Sequence, residues 1–129
     1  MANTITKQTL VNDARNLVVK VHILGDNSGD EAATNIVDVS ALDANIDRVK
    51  ITRIQSSLEG FSANLIWDAT ANVDIITLPQ SDMDQDYSSF GGLVNNSTTG
   101  RTGDILIDTV GLGAEEGTII LHMKKRIIR

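Results

Sequence analysis

The chain has 129 residues, 41% of them apolar, with 17 acidic against 11 basic side chains and a formal charge of −6. One domain fits a length of that order, about 100–200 residues per domain, and the apolar content is enough for a core, which excludes wholesale disorder. The absence of cysteine excludes disulfide scaffolds, thiolate metal sites and cysteine nucleophiles. An acidic chain whose only aromatics are Phe61, Trp67, Tyr87 and Phe90 is also a poor binder of nucleic acid, which needs basic surface and stacking platforms.

Ile, Val and Thr number 15, 10 and 12, against 10 Ala and 11 Leu, and β-branched side chains favour strands. The apolar spacing is mostly two, the period of a strand. In chain order, residues 4–11 (TITKQTLV) form a polar, Thr-rich strand, and residues 1–8 read as an N-terminal arm able to pair with a neighbour's sheet edge. Residues 16–24 (NLVVKVHIL) place Leu17, Val19, Val21 and Ile23 on one face. GDNSGDE (25–31) is turn chemistry. Residues 33–39 form a third strand, and 41–47 (ALDANID) read as one helical turn or a loop.

Residues 48–58 (RVKITRIQSSL) form a long strand with Val49 and Ile51 on one face and Lys50, Thr52 and Ile54 on the other. Residues 62–69 (SANLIWDA) alternate, with Ala63, Leu65, Trp67 and Ala69 inward, and a hairpin follows into 73–78 (VDIITL). Pro79 closes that strand. Residues 79–102 read as one long loop excursion, of the kind that is functional or mobile in a small domain. Residues 104–110 and 118–128 complete a set of about eight strands. The predicted fold is all-β: a single antiparallel two-sheet sandwich over 1–129, jelly-roll-like, with no substantial helix.

The search for chemistry returns little. Asp82, Asp84 and Asp86 have the opening spacing of an EF-hand loop, but Tyr87 and Leu93 stand where that loop needs Gly and a bidentate Glu. They remain weak candidates for calcium without an EF-hand frame, and a solvated acidic loop is the simpler reading. Asp26, Asp30 and Glu31 are likewise read first as turn residues. NNSTTGRT (95–102) lacks the first Gly and the Lys of a phosphate loop. His22 and His122 could share a metal only if their strands are neighbours. No acid–base pair or nucleophile has usable spacing, so the chain is read as a protein without catalytic residues, metal or cofactor. No apolar run reaches the roughly 18 residues that span a bilayer, and MANTITKQTL has no secretory pattern, which predicts synthesis in a cytoplasm and no membrane partner. Two basic segments, RVKITR (48–53) and HMKKRIIR (122–129), run against the acidic whole. They either guard strand edges or dock on a charged neighbour.

The segments Leu65-Ile66-Trp67-Asp68-Ala69-Thr70, Phe90-Gly91-Gly92-Leu93, Thr102-Gly103-Asp104-Ile105-Leu106-Ile107 and Gly117-Thr118-Ile119-Ile120-Leu121 follow one another in this order before Lys124-Lys125. NLVVKVHILGD and IVDVSAL precede them. In this layout the chain resembles small virion structural proteins of tailed bacteriophages, of the capsid decoration (cement) type. The resemblance implies a β-sandwich on the capsid surface of the virion. It implies a homotrimer at quasi-threefold positions that cements neighbouring copies of the major capsid protein, with no catalytic residues to carry over. Two other roles are open on the sequence: a tail, fibre or baseplate component using the 79–102 loop, and a free jelly-roll module for a glycan or small ligand.

Overall fold

The computed structural model describes residues 3–13, 15–27, 29–30, 34–38, 46–69, 72–87, 89, 92–93 and 104–127, the side chains of 46–48 and 126–127 excepted. Nine strands run through them: β1 (Thr4–Asn12), β2 (Asn16–Leu24), β3 (Thr34–Val37), β4 (Ile46–Leu58), β5 (Ser62–Trp67), β6 (Val73–Leu78), β7 (Asp82–Asp86), β8 (Ile105–Val110) and β9 (Glu116–Ile127). They form a five-stranded sheet, β1-β2-β9-β4-β7, and a four-stranded sheet, β3-β8-β5-β6.

The pairing is nested. β5 and β6 form the central antiparallel hairpin, and around it β4 pairs β7, β3 pairs β8 and β2 pairs β9, all antiparallel. A long hairpin of this kind, folded over so that alternate pairs fall in opposite sheets, is a jelly roll. The all-β sandwich expected from the strand period is therefore the fold, with β1 added outside β2.

The core lies between the sheets. Leu17, Val19, Val21 and Ile23 of β2 meet Ile105 and Ile107 of β8 and Leu65 and Trp67 of β5 in one buried cluster. Trp67 and Phe61 are among its largest fully buried side chains. Period-two strands with one apolar face dictate this arrangement, because only a second sheet can cover that face.

Three expectations change. The described residues hold nine strands instead of about eight, because the 79–102 excursion contains β7. DMDQD has little β preference, yet it completes the edge of the sheet by pairing Arg53↔Asp86 through Ser57↔Asp82. The same stretch returns to β4 at Leu93, which exchanges two backbone hydrogen bonds with Ile51, at 3.0 and 2.7 Å. Residues 94–103 lie outside the described residues, as do 41–45, where a turn or loop was open.

The second change is in β4. Its register shifts between Ile51 and Arg53, so that Ile54 joins Val49 and Ile51 in the core instead of facing away. A β-bulge inserts one residue and turns the strand's faces over. Third, Thr4–Gln8 pair with β2 of their own chain, from Thr4↔Leu24 to Gln8↔Lys20, where the sequence suggested an arm; Met1 and Ala2 lie outside the described residues. A three-residue connection closes this hairpin, and Asp13 Oδ1 accepts from Asn16 N (2.7 Å) and Arg15 N (3.0 Å). Lys125 of β9 also bonds Asn12 Oδ1 and the Asp13 carbonyl, which ties the turn to the sheet.

Candidate functional site

Sheet pairing brings the two basic segments together. β4 and β9 are neighbours, with Arg48 opposite Arg126, Val49 opposite Lys125 and Lys50 opposite Lys124. Val49 and Met123 point into the core, and side chains alternate along a strand, so Lys50 and Lys124 both stand on the outer face of the five-stranded sheet. Residues directly opposite on one face have Cβ atoms about 4.5–5.5 Å apart, and like charges there are destabilising. Neither ammonium is in an ion pair among the described residues. This end of the sheet is a cationic patch on a chain whose formal charge is −6.

The β7 edge, directly beside β4 on the same face, is acidic. Asp82, Asp84 and Asp86 alternate along β7, so they share one face and lie about 6–7 Å apart in succession. Asp84 is committed to Arg53, whose Nε and Nη2 donate to its two oxygens at 2.8 and 2.7 Å. That fork holds the Asp84 carboxyl below the ordinary range and raises the guanidinium. Half-exposed pairs of this geometry position side chains more than they stabilise a fold. Among the described residues no three His, Asp or Glu side chains gather closely enough to hold a metal ion. The three aspartates line one strand instead of encircling a point.

β2 and β9, the strands of His22 and His122, are neighbours, the condition a shared metal would need. The register separates the two rings, however: His22 faces Thr118 and His122 faces Val18, four residues away, or about 13 Å. His22 Nε2 instead lies 3.3 Å from Glu116 Oε2, and His122 Nε2 lies 3.0 Å from Gln55 Oε1. Asp30, one of the turn acids, has a structural role. Its Oδ1 accepts from Leu112 N (2.7 Å) and Thr109 Oγ1 (3.2 Å), and the first of these bonds chiefly lowers its pKa.

A groove of about 270 Å³ opens at the side of the sandwich between β1 and β3. Leu17, Val19, Ile36 and Val37 form its floor, with Lys7 and Asp38 at the rim. Thr9 and Asn12 of β1 also line it, so polar side chains surround an aliphatic floor. Among the described residues no helix is long and apolar enough to cross a membrane.

The sequence made the two basic segments visible but not their adjacency, which depends on a pairing between strands about 70 residues apart. The only signal available was that both segments were basic and both read as strand.

No protein-family model matches the sequence, and a search of curated proteins returns no match.

Proposed function

We propose that this chain is a capsid decoration protein of a tailed bacteriophage, which binds the outer surface of the major capsid protein lattice and stabilises the head by binding alone. The observation that carries the reading is the Lys50–Lys124 pair. Two cations held opposite one another on a rigid sheet are unfavourable in the isolated molecule. They become favourable when a carboxylate-bearing surface covers them. The resemblance in segment order names the lattice as that surface. A weak single contact suffices for such a role, since many copies act on one shell.

The test is to image the native particle at side-chain resolution and to add the purified chain back to heads lacking it. The expected result is density for this chain on the shell and occupancy that falls with added salt. The charge-reversed Lys50→Glu/Lys124→Glu chain should bind far less. Absence of the chain from the shell, or undiminished binding of that double variant, would remove the proposal.

A further inference from the structure

We propose that the outer face of β2, β9 and β4 is a docking patch for an acidic polypeptide surface. Val18 and Ile120 form its apolar centre. Lys20 on one side and the Lys50–Lys124 pair on the other receive carboxylates that flank an apolar side chain of the partner. This deepens the capsid reading and rests on it for one point, that the surface belongs to the shell.

Alternation along the strands builds the patch. Leu17, Val19 and Val21 of β2 and Ile119, Leu121 and Met123 of β9 are buried between the sheets, so Val18, Lys20, Ile120 and Lys124 point outward. The register sets Lys20 opposite Ile120 and Val18 opposite His122, with Lys50 opposite Lys124. Val18 and Ile120 are therefore diagonal neighbours, about 7–8 Å apart. Both are half-buried, whereas outward positions of a sandwich are ordinarily polar. Lys20 stands four residues along and one strand across from Lys124, about 14 Å away. His122 and Gln55 fill the space beside Ile120 and bond each other at 3.0 Å, which leaves the lysines as the charged rim.

Charge decides the occupant. Residues 16–24, 48–58 and 117–125 of these strands contain no acid, although the chain has 17. Lys20, Lys50 and Lys124 take part in no ion pair among the described residues. An apolar centre with a polar rim is the anatomy of a protein interface, and a rim of one sign calls for the opposite sign across it. The β7 aspartates bound the patch on the far side of β4. They repel a carboxylate there, which holds the partner over β2 and β9.

A second copy does not supply that partner. Its acidic strand, β7, has Asp84 between Asp82 and Asp86, so it would set the charged Arg53–Asp84 fork on Val18 and Ile120. Two molecules of formal charge −6 also repel each other. The partner is a different protein, with carboxylates about 14 Å apart and an apolar group between them. An extended segment with acid, apolar and acid side chains at alternate positions spans about 13 Å and presents all three on one face.

Two measurements test this, one with heads and one without. The first adds variants back to heads lacking the chain. Lys20→Glu and the double variant Val18→Thr/Ile120→Thr should each bind about tenfold more weakly, with the far-UV circular dichroism spectrum of the parent. Thr4→Glu puts a new charge on the same face near the other end of the sheet, opposite Leu24, and should bind as the parent does. The second is an NMR titration of the parent chain with the peptide Glu-Thr-Val-Thr-Glu. It should shift the amides of Val18, Lys20, Lys50, Ile120 and Lys124, and added salt should weaken the effect. The same peptide with lysine for glutamate should not shift them, and neither should anionic phospholipid vesicles. Heads that hold the parent and every variant equally would overturn the patch and leave the capsid reading standing. Peptide shifts at the patch with no binding to heads would support the patch and remove the capsid reading. Peptide shifts absent or spread over the whole molecule, equal shifts from the lysine peptide or the vesicles, or equal losses for Thr4→Glu and Lys20→Glu would each overturn the inference.

Discussion

Gly117 of β9 is packed tightly enough against the core to be tested by adding one methyl group. A Cβ built there would lie 2.7 Å from Leu58 Cδ2, 2.9 Å from Phe61 Cζ and 3.1 Å from the Ser57 carbonyl oxygen. Carbon pairs prefer about 3.5–4.0 Å, so two of these contacts are short by roughly 0.6–1.3 Å. Leu58 and Phe61 are buried in the core and cannot withdraw into solvent. The Ser57 oxygen belongs to a residue in the β4–β9 register, where Ser57 faces Thr118. Overpacking of this kind costs about 1–3 kcal/mol. The narrower unfolded ensemble of alanine returns about 0.4–1 kcal/mol. Gly117→Ala should therefore destabilise by about 1–2 kcal/mol, an appreciable part of a domain stability of about 5–15 kcal/mol. The assay is urea unfolding followed by the fluorescence of Trp67, the only tryptophan and a core residue. The midpoint should fall by roughly 0.5–1 M with an unchanged slope. Phe61→Leu in the same chain should relieve part of the clash, so that the two substitutions cost less together than their sum. A midpoint for Gly117→Ala equal to or above that of the parent chain would refute the packing described between β4 and β9.

Asp13, Asp30 and Asp84 are each held below the ordinary carboxylate range: Asp13 by Asn16 and Arg15 backbone bonds, Asp30 by Leu112 N and Asp84 by Arg53. The unfolded chain binds more protons than the native state between those lowered values and about pH 4. Their stabilisation is thus fully present above the unfolded value and is lost as pH falls through the folded ones. Urea midpoints should be level above about pH 5 and decline below about pH 4, and Asp30→Ala should lower the plateau and flatten that decline; a midpoint that rises on acidification would contradict it. Lys124→Glu converts the repulsive cross-strand pair with Lys50 into an attractive one, so it should raise the thermal midpoint slightly, by about 0.5 kcal/mol or less in stability, while weakening the capsid binding proposed above; a variant both less stable and better bound would reverse the reasoning. Arg53→Ala removes the fork to Asp84 at an exposed site, so it should leave the unfolding midpoint nearly unchanged while the Asp84 carboxyl titration, followed by NMR, moves up toward the ordinary value. A titration that stays in place would show that the fork is not what holds Asp84 down.

Much of the fold was legible in the residues. Leu17, Val19, Val21 and Ile23 recur every second position, and such a pattern has one stable use, a half-buried strand. Trp67 and its hairpin with 73–78 could be placed for the same reason. β7 could not, because DMDQD has neither alternating apolar residues nor β-branched ones, and its pairing partners lie about 30 residues upstream in β4. The inward turn of Ile54 was equally hidden, since a bulge next to Thr52 is set by how β4 must fit between two neighbours and not by any local residue preference. The basic patch stands between these cases: RVKITR and HMKKRIIR were visible as cationic strands, but only the β4–β9 register set Lys50 against Lys124.

The strand period and the turns around Gly25 and Gly60 follow from the sequence alone, because they depend on interactions within a few residues. The nesting of the pairs into a jelly roll, the exposure of β1 along its whole edge, the separation of His22 from His122 and the alignment of Asp82, Asp84 and Asp86 on one face were decided only in the folded sheets. Each depends on which distant strand supplies the hydrogen-bonding partner, and a two-residue repeat fixes the face a side chain takes without fixing the neighbour it meets.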